Sequence, residues 1–159
     1  MTDPAPRYGV SRPDEIAGLT GLEIMSRIRD GRLPTAPIMR TLSFRLVEVG
    51  AGLAVFEGEP SAEILNPLGT VHGGWALTLV DSAAGCAAHT LLPADTGYTT
   101  LETKANFTRA IMPGTGTVRA EGRVVSPGRT VLTAEVRVTG PDGKLLAHGT
   151  STLLVLAPR

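Results

Sequence analysis

The sequence predicts an α+β fold: a curved antiparallel sheet wrapped around one central buried helix, with an extra helix near the N-terminus. Three observations lead there. His72–Leu92 is helical by length and composition, and Trp75, Leu77, Leu79, Val80, Ala83, Ala84, Cys86, Ala87 and Leu91 put apolar surface on nearly every side of it. A helix that is apolar all round is a buried helix. Two strand-like segments precede it, and from Tyr98 the chain is strand-like to its end. Successive strands joined by turns pair antiparallel, and a sheet curved around the helix hides it.

In chain order, residues 1–13 are rich in Pro and polar groups and read as a loose arm. Pro13-Asp14-Glu15 opens a helix over 14–30, whose apolar stripe is Ile16, Leu19, Leu22, Ile24, Met25 and Ile28 and whose stop is Gly31. This helix is a lid or brace, so residues 1–34 are an arm and helix, and 35–159 form the main domain. Leu33–Pro37 is a connector. Leu42, Phe44, Leu46 and Val49 mark a first strand, Gly50–Gly52 a turn, and Leu53–Glu59 a second strand ended by Pro60. Ser61–Thr70 is a loop. After the buried helix come strands over Tyr98–Arg109, Thr115–Val125, Thr130–Thr139 and Lys144–Leu156, separated by Pro113-Gly114, Ser126–Arg129 and Gly140–Gly143. In the third of these, Leu132, Ala134, Val136 and Val138 alternate with Val131, Thr133, Glu135 and Arg137. The sheet leaves one side of the helix open, and a second copy of the chain is the simplest cover for it.

Composition excludes several classes. With 15 basic and 15 acidic residues the formal net charge is zero, which argues against binding nucleic acid through its phosphates. A single cysteine, Cys86, excludes an internal disulfide framework and points to a reducing compartment, the cytoplasm by default. The N-terminus carries no stretch of signal-peptide type. The apolar run Val71–Leu92 approaches the length of a membrane span, but it contains Asp81, His72 and His89, so a buried helix is expected instead. No Cys/His/Asp cluster has metal-ligand spacing and no Gly-rich segment has phosphate-loop spacing. No metal and no cofactor are expected.

Chemistry is concentrated in one place. Between Glu63 and Asp95 the only formally charged side chain is Asp81, in the middle of the apolar helix. A carboxylate there is costly to bury unless something pairs with it or uses it. The segment Asn66-Pro-Leu-Gly-Thr-Val-His-Gly-Gly74 followed by Asp81, together with Thr41–Val49 and Ala105-Asn-Phe-Thr-Arg109, resembles the hotdog-fold acyl-CoA thioesterases, in particular the branch related to phenylacetic acid degradation. The resemblance covers residues 35–156. It implies that the substrate is an acyl-CoA, with coenzyme A part of the substrate rather than a cofactor. It implies Asp81 as nucleophile or general base, Gly73 as the backbone N–H that binds the thioester oxygen, Asn66 as the loop amide that assists, and Thr100 as the hydroxyl on the following strand. It also implies a site shared across a homodimer, and dimers of dimers.

The residue types suit that reaction. Thioester hydrolysis develops negative charge on the carbonyl oxygen, and fixed N–H dipoles aimed at it stabilise the transition state. The first helical residues have free N–H groups at the positive end of the macrodipole, and Gly73 has no side chain to block approach. Asp81 can activate water or attack directly. Gly73 and Asp81 are about 12 Å apart along a helix, so they serve one carbonyl only if two antiparallel helices supply one group each.

Each candidate also has a plainer reading. Gly73 and Gly74 can serve helix packing, and Asp81 can be a structural acid bonded to Thr78 or Ser82. Asn66 before Pro67 is a common turn residue. His72 reads as structural or substrate-orienting, and Trp75 packs, with the acyl group a candidate neighbour. Arg109, Arg129 and Lys144 could hold the phosphates of coenzyme A or be solvated surface charges. Two other functions keep the fold. A hydratase or dehydratase is disfavoured because no His-Phe-Pro-Gly type motif occurs, and a non-catalytic acyl-CoA sensor is disfavoured by the absence of a helix-turn-helix. With 4% aromatic residues, the acyl pocket is expected to be lined by aliphatic side chains.

Overall fold

A computed structural model describes residues 6–156. Three short helices come first: α1 (Pro13–Ile16), α2 (Gly21–Arg29) and α3 (Pro37–Thr41). The hairpin β1 (Phe44–Gly50) and β2 (Leu53–Gly58) follows, then a 3₁₀ turn at Ala62–Ile64 and the long helix α4 (Gly73–His89). Strands β3 (Gly97–Phe107), β4 (Val118–Pro127), β5 (Val131–Thr139) and β6 (Leu145–Leu156) complete the chain. All six strands form one antiparallel sheet in the order β1-β2-β4-β5-β6-β3, curved around α4 as expected. In β5 the inward residues Leu132, Ala134, Val136 and Val138 are buried, as their alternation requires.

The N-terminal region departs from expectation. One helix over 14–30 is in fact two, because Gly18 takes a left-handed conformation (φ 72°) that breaks the helical path. Thr20 then caps α2. Its hydroxyl accepts from the Glu23 N–H at 3.3 Å, while the Thr20 N–H donates to Glu23 Oε2 at 2.8 Å. This is a capping box, satisfying two otherwise orphaned donors. The arm is docked rather than loose over residues 6–12. The Gly9 N–H donates to the Thr35 carbonyl at 2.9 Å and the Thr35 N–H to the Arg7 carbonyl at 2.8 Å. The rest of the expected arm, residues 1–5, lies outside the described residues. Pro37, the end of the connector, opens the helix α3, and Leu42 and Ser43 form the turn after it, so β1 begins at Phe44.

The extra helices brace the C-terminal end of α4. The Gly21 N–H donates to the Leu92 carbonyl at 3.1 Å, and the Gly18 N–H to Asp95 Oδ1 at 3.0 Å. Here His89 lies against Tyr98, with ring centroids 5.5 Å apart. Burial holds His89 below the ordinary histidine value of 6.5. A base whose folded value is depressed favours folding in its neutral form. That stability is present above the unfolded value and is lost as pH falls through the folded one. Thermal melts from about pH 7.5 to about pH 5 should show a falling Tm, and His89→Gln should flatten the decline. Parallel curves would place the acid sensitivity elsewhere.

Helix α4 is not covered on every side. Trp75, Ala76, Leu79, Val80, Ala83, Ala84, Ala87 and Ala88 are buried against the sheet, but His72 and Asp81 are exposed and Leu77, Thr78 and Ser82 only partly covered. Asp81, expected to be buried, therefore faces outward in the single chain. The sheet wraps the opposite side of the helix, so the carboxylate keeps its hydration. Among the described residues no helix is long and apolar enough to cross a membrane.

Candidate active site

The site is built where α4 meets β3. Asp81 Oδ1 accepts two hydrogen bonds from that strand, one from Thr100 Oγ1 at 3.1 Å and one from Thr103 Oγ1 at 2.9 Å. Two threonines three residues apart would point to opposite faces of a regular strand. Here the β3–β6 register shifts between Thr100 and Glu102, so a bulge at Leu101 brings both hydroxyls to the helix side. Neither Thr78 nor Ser82 supplies the partner, since the Thr78 hydroxyl donates to the Gly74 carbonyl at 2.8 Å. Asp81's charge adds to burial in pushing the half-buried Cys86 thiol up to about 12, and it also raises Tyr98 above the ordinary tyrosine value, after burial and Cys86.

The start of α4 forms a second group. His72 is the N-cap, and its Nδ1 accepts the Gly74 N–H at 2.9 Å. This nitrogen therefore carries no proton, and the Gly74 N–H is occupied by its neighbour. The Gly73 N–H, first in the helix, has no acceptor among the described residues. Beside it is a cleft of about 300 Å³ bordered by His72, Gly73, Ala76, Phe107, Arg109 and Ile111. The exposed Phe107 ring lies over Gly73, with its edge 3.3 Å from where a Cβ would stand. An unpaired N–H at the positive end of a 17-residue helix is suited to a developing oxyanion, and the Arg109 guanidinium lines the same cleft.

A family model described as the thioesterase superfamily matches residues 68–147, a stretch that holds both groups. The chain belongs to the thioesterase superfamily. Solved structures agree. A phenylacetic acid degradation-related protein from Ralstonia eutropha is 26% identical with a TM-score of 0.74, the match covering 82% of this thioesterase and 98% of that chain. A thioesterase family protein from Silicibacter pomeroyi is 27% identical with a TM-score of 0.73, covering 83% and 98%. A mutant of the phenylacetic acid degradation protein PaaI from Thermus thermophilus is 32% identical with a TM-score of 0.67, covering 74% and 97%. No curated protein matches the chain. The protein is thus a PaaI-like thioesterase of the hotdog fold, and its general reaction is thioester hydrolysis.

The remaining candidates of this thioesterase fall in different places. Asn66 is used by its own loop: Oδ1 accepts from the Leu68 N–H at 2.9 Å and the Thr70 N–H at 3.3 Å, and Nδ2 donates to Thr70 Oγ1 at 2.7 Å. That loop leads into the helix start, where the His72 N–H donates to the Ile64 carbonyl at 2.8 Å. Trp75, read as a packing residue with the acyl group as a candidate neighbour, is a core residue. It is 3% exposed and its Nε1 donates to the Leu42 carbonyl at 2.8 Å. The rotation of α4 that turns Asp81 outward turns Trp75 toward the sheet.

Arg109 borders the Gly73 cleft and an adjoining one of about 660 Å³ that also contains Lys144. Lys144 is paired with Asp142 at 2.6 Å, whereas Arg109 makes no ion pair among the described residues. Arg129 does not join this group, because the β4–β5 turn lies at the other end of the sheet, level with the end of α4. Thr103 and Phe107 were missed by sequence reasoning. Only the bulge would have revealed Thr103, while Phe107 sits inside the motif Ala105–Arg109 but carried no role there.

Proposed function

We propose that this thioesterase hydrolyses acyl-CoA thioesters as a homodimer, with Asp81 of one protomer and the Gly73 N–H of the other acting on one carbonyl. The observation that carries this reading is the placement of the two groups. Asp81 is presented on the open stripe of α4, and Gly73 keeps a free N–H about 12 Å away along the same helix. Neither can complete a site alone. The sheet supports a two-fold arrangement: β3 is an edge strand of 11 residues, and its Leu101 and Phe107 are 58% and 55% exposed. Glu102 and Lys104 are exposed on the same strand, but its unpaired backbone groups remain a template for another strand. Pairing β3 with β3 antiparallel would hide this edge and set two α4 helices side by side in opposite directions.

In the reaction, negative charge forms on the carbonyl oxygen and is held by the Gly73 N–H. Asp81 either takes a proton from the attacking water, which gives the free acid directly, or attacks the carbonyl itself to form a mixed anhydride that water then hydrolyses to the free acid and Asp81. The C–S bond breaks and the coenzyme A thiolate leaves, to be protonated. Arg109 is positioned to meet a phosphate of the coenzyme at the mouth of the cleft. No cofactor is required. Dimers assembling further into tetramers, and residence in the reducing cytoplasm, belong to the same reading.

Complementation tests it. Asp81→Asn and Gly73→Val should each be inactive in thiol-release assays with a panel of acyl-CoAs. Co-expressed, they should recover about a quarter of wild-type activity, because half the dimers are mixed and each mixed dimer has one intact site. No recovery, with mixed dimers confirmed by mass spectrometry, would refute the shared site. Tight acyl-CoA binding by the wild type without thiol release from any substrate would refute the hydrolase.

A further inference from the structure

Asp81 is held on one oxygen only. Both threonine hydroxyls donate to Oδ1, and Oδ2 has no hydrogen-bond partner among the described residues. Behind Thr103 stands Ser151, its register partner on β6, with the two hydroxyl oxygens 3.0 Å apart. Ser151 is completely buried, while the other inward side chains of β6 around it, at Ala147, Gly149 and Leu153, are non-polar. Its hydroxyl is also 2.9 Å from the Glu102 carbonyl beside the β3 bulge.

A proton count orders this chain. Each hydroxyl has one hydrogen to give. If Thr103 gave its hydrogen to Ser151, Asp81 would lose a donor. With Asp81 ionised, Thr103 donates to Oδ1 and its own oxygen is left to accept from Ser151. The Ser151 hydrogen then lies toward Thr103 or toward the Glu102 carbonyl, both within reach. Whichever way that hydrogen lies, the ionised carboxylate is the stronger acceptor for the Thr103 hydrogen.

We infer that Thr103 is a positioning residue: with Thr100 it clamps Oδ1 of Asp81 and leaves Oδ2 as the oxygen that meets water or the thioester. The inference rests on Asp81 being the group that does the chemistry. It assigns the work to one oxygen, and it makes the β3 bulge part of the catalytic design, since without it Thr103 would face away.

The variant Thr103→Val keeps the shape and removes the hydroxyl. Its kcat should fall by about tenfold to a hundredfold, the scale of one hydrogen bond to a charged group. Its KM and Tm should stay near wild type, because substrate binding is not touched and the buried Ser151 hydroxyl keeps the Glu102 carbonyl as its partner. Thr103→Ser should restore kcat to within about threefold of wild type. Should Thr103→Val fail to fold, Thr103→Ala is read in the same way. A wild-type kcat in the variant that lacks the hydroxyl, while Asp81→Asn is inactive, would overturn the clamp and spare the mechanism. So would a loss in which Tm falls and KM rises with kcat, or a Thr103→Ser variant no better than the valine. An active Asp81→Asn would remove the mechanism beneath it.

Discussion

Asp81→Asn is expected to lower kcat by about a thousandfold, within the range set by general-base groups, and to leave the protomer folded. The two halves of this expectation have separate causes. Activity falls because an amide can neither take a proton from water nor attack a thioester at neutral pH. The fold survives because Asp81 is exposed in the protomer and an asparagine Oδ1 can still accept from Thr100 and Thr103. Exposed substitutions usually stay within roughly 0.5 kcal/mol, so Tm should move by no more than about 2 °C. Asp81→Ala removes the acceptor as well and tests chemistry and anchoring together. Thiol release gives kcat, and a thermal melt gives the fold. An asparagine variant with wild-type kcat would exclude Asp81 from the reaction. An inactive variant that melts far below wild type would make it a structural acid.

How much of this was legible depends on the length scale of each signal. Helix α4 was legible because its apolar run is unbroken, and β5 because Leu132, Ala134, Val136 and Val138 repeat every two residues. Turns were enough for the pairs β1–β2, β4–β5 and β5–β6, but not for β2–β4 and β3–β6, which join strands distant in sequence; β3 and β4, successive in the chain, do not pair. The N-terminal break was not read, although its signals were present: Gly18 and the Thr20/Glu23 pair stand inside a stripe that also fits one helix. What decides between them is a long-range tie from Gly18 to Asp95 and from Gly21 to Leu92, and no local pattern encodes it. The site divides in the same way. Asp81 stood out as a lone charge and Gly73 as a helix start. Thr103 was hidden because a bulge changes the phase of β3, and Asp81 was expected to be buried because the rotation of α4 is set by the sheet, not by the helix. Thr100 was named without its partner residue, since hydroxyls are common in strands and only the fold shows which of them meets the carboxylate.

Gly122→Ala is expected to cost about 3 kcal/mol, or roughly 10 °C in Tm. Gly122 lies on β4 directly beneath α4, and a Cβ built on it would overlap the Ala83 carbonyl and come within 3.0 Å of the Ala84 N. These are backbone atoms of a helix held by its own hydrogen bonds, so no flexible side chain can move aside. Either the helix lifts from the sheet or the strand bends. Gly97→Ala is the matching control, because nothing lies within 4 Å of a Cβ there and its φ is not in the left-handed range; it should change stability by less than about 0.5 kcal/mol. The larger consequence concerns the site. Ala83 is two residues beyond Asp81, so a helix displaced from β4 carries the carboxylate with it. Hydrogen bonds of 2.9 and 3.1 Å to β3 have little length to spare. The folded fraction of Gly122→Ala should therefore show a reduced kcat as well as a lower urea midpoint, whereas Gly97→Ala should show neither. A Gly122→Ala protein that unfolds at the wild-type urea concentration would mean that α4 does not rest on the sheet backbone, and the clamp on Asp81 would lose the support that sets its geometry.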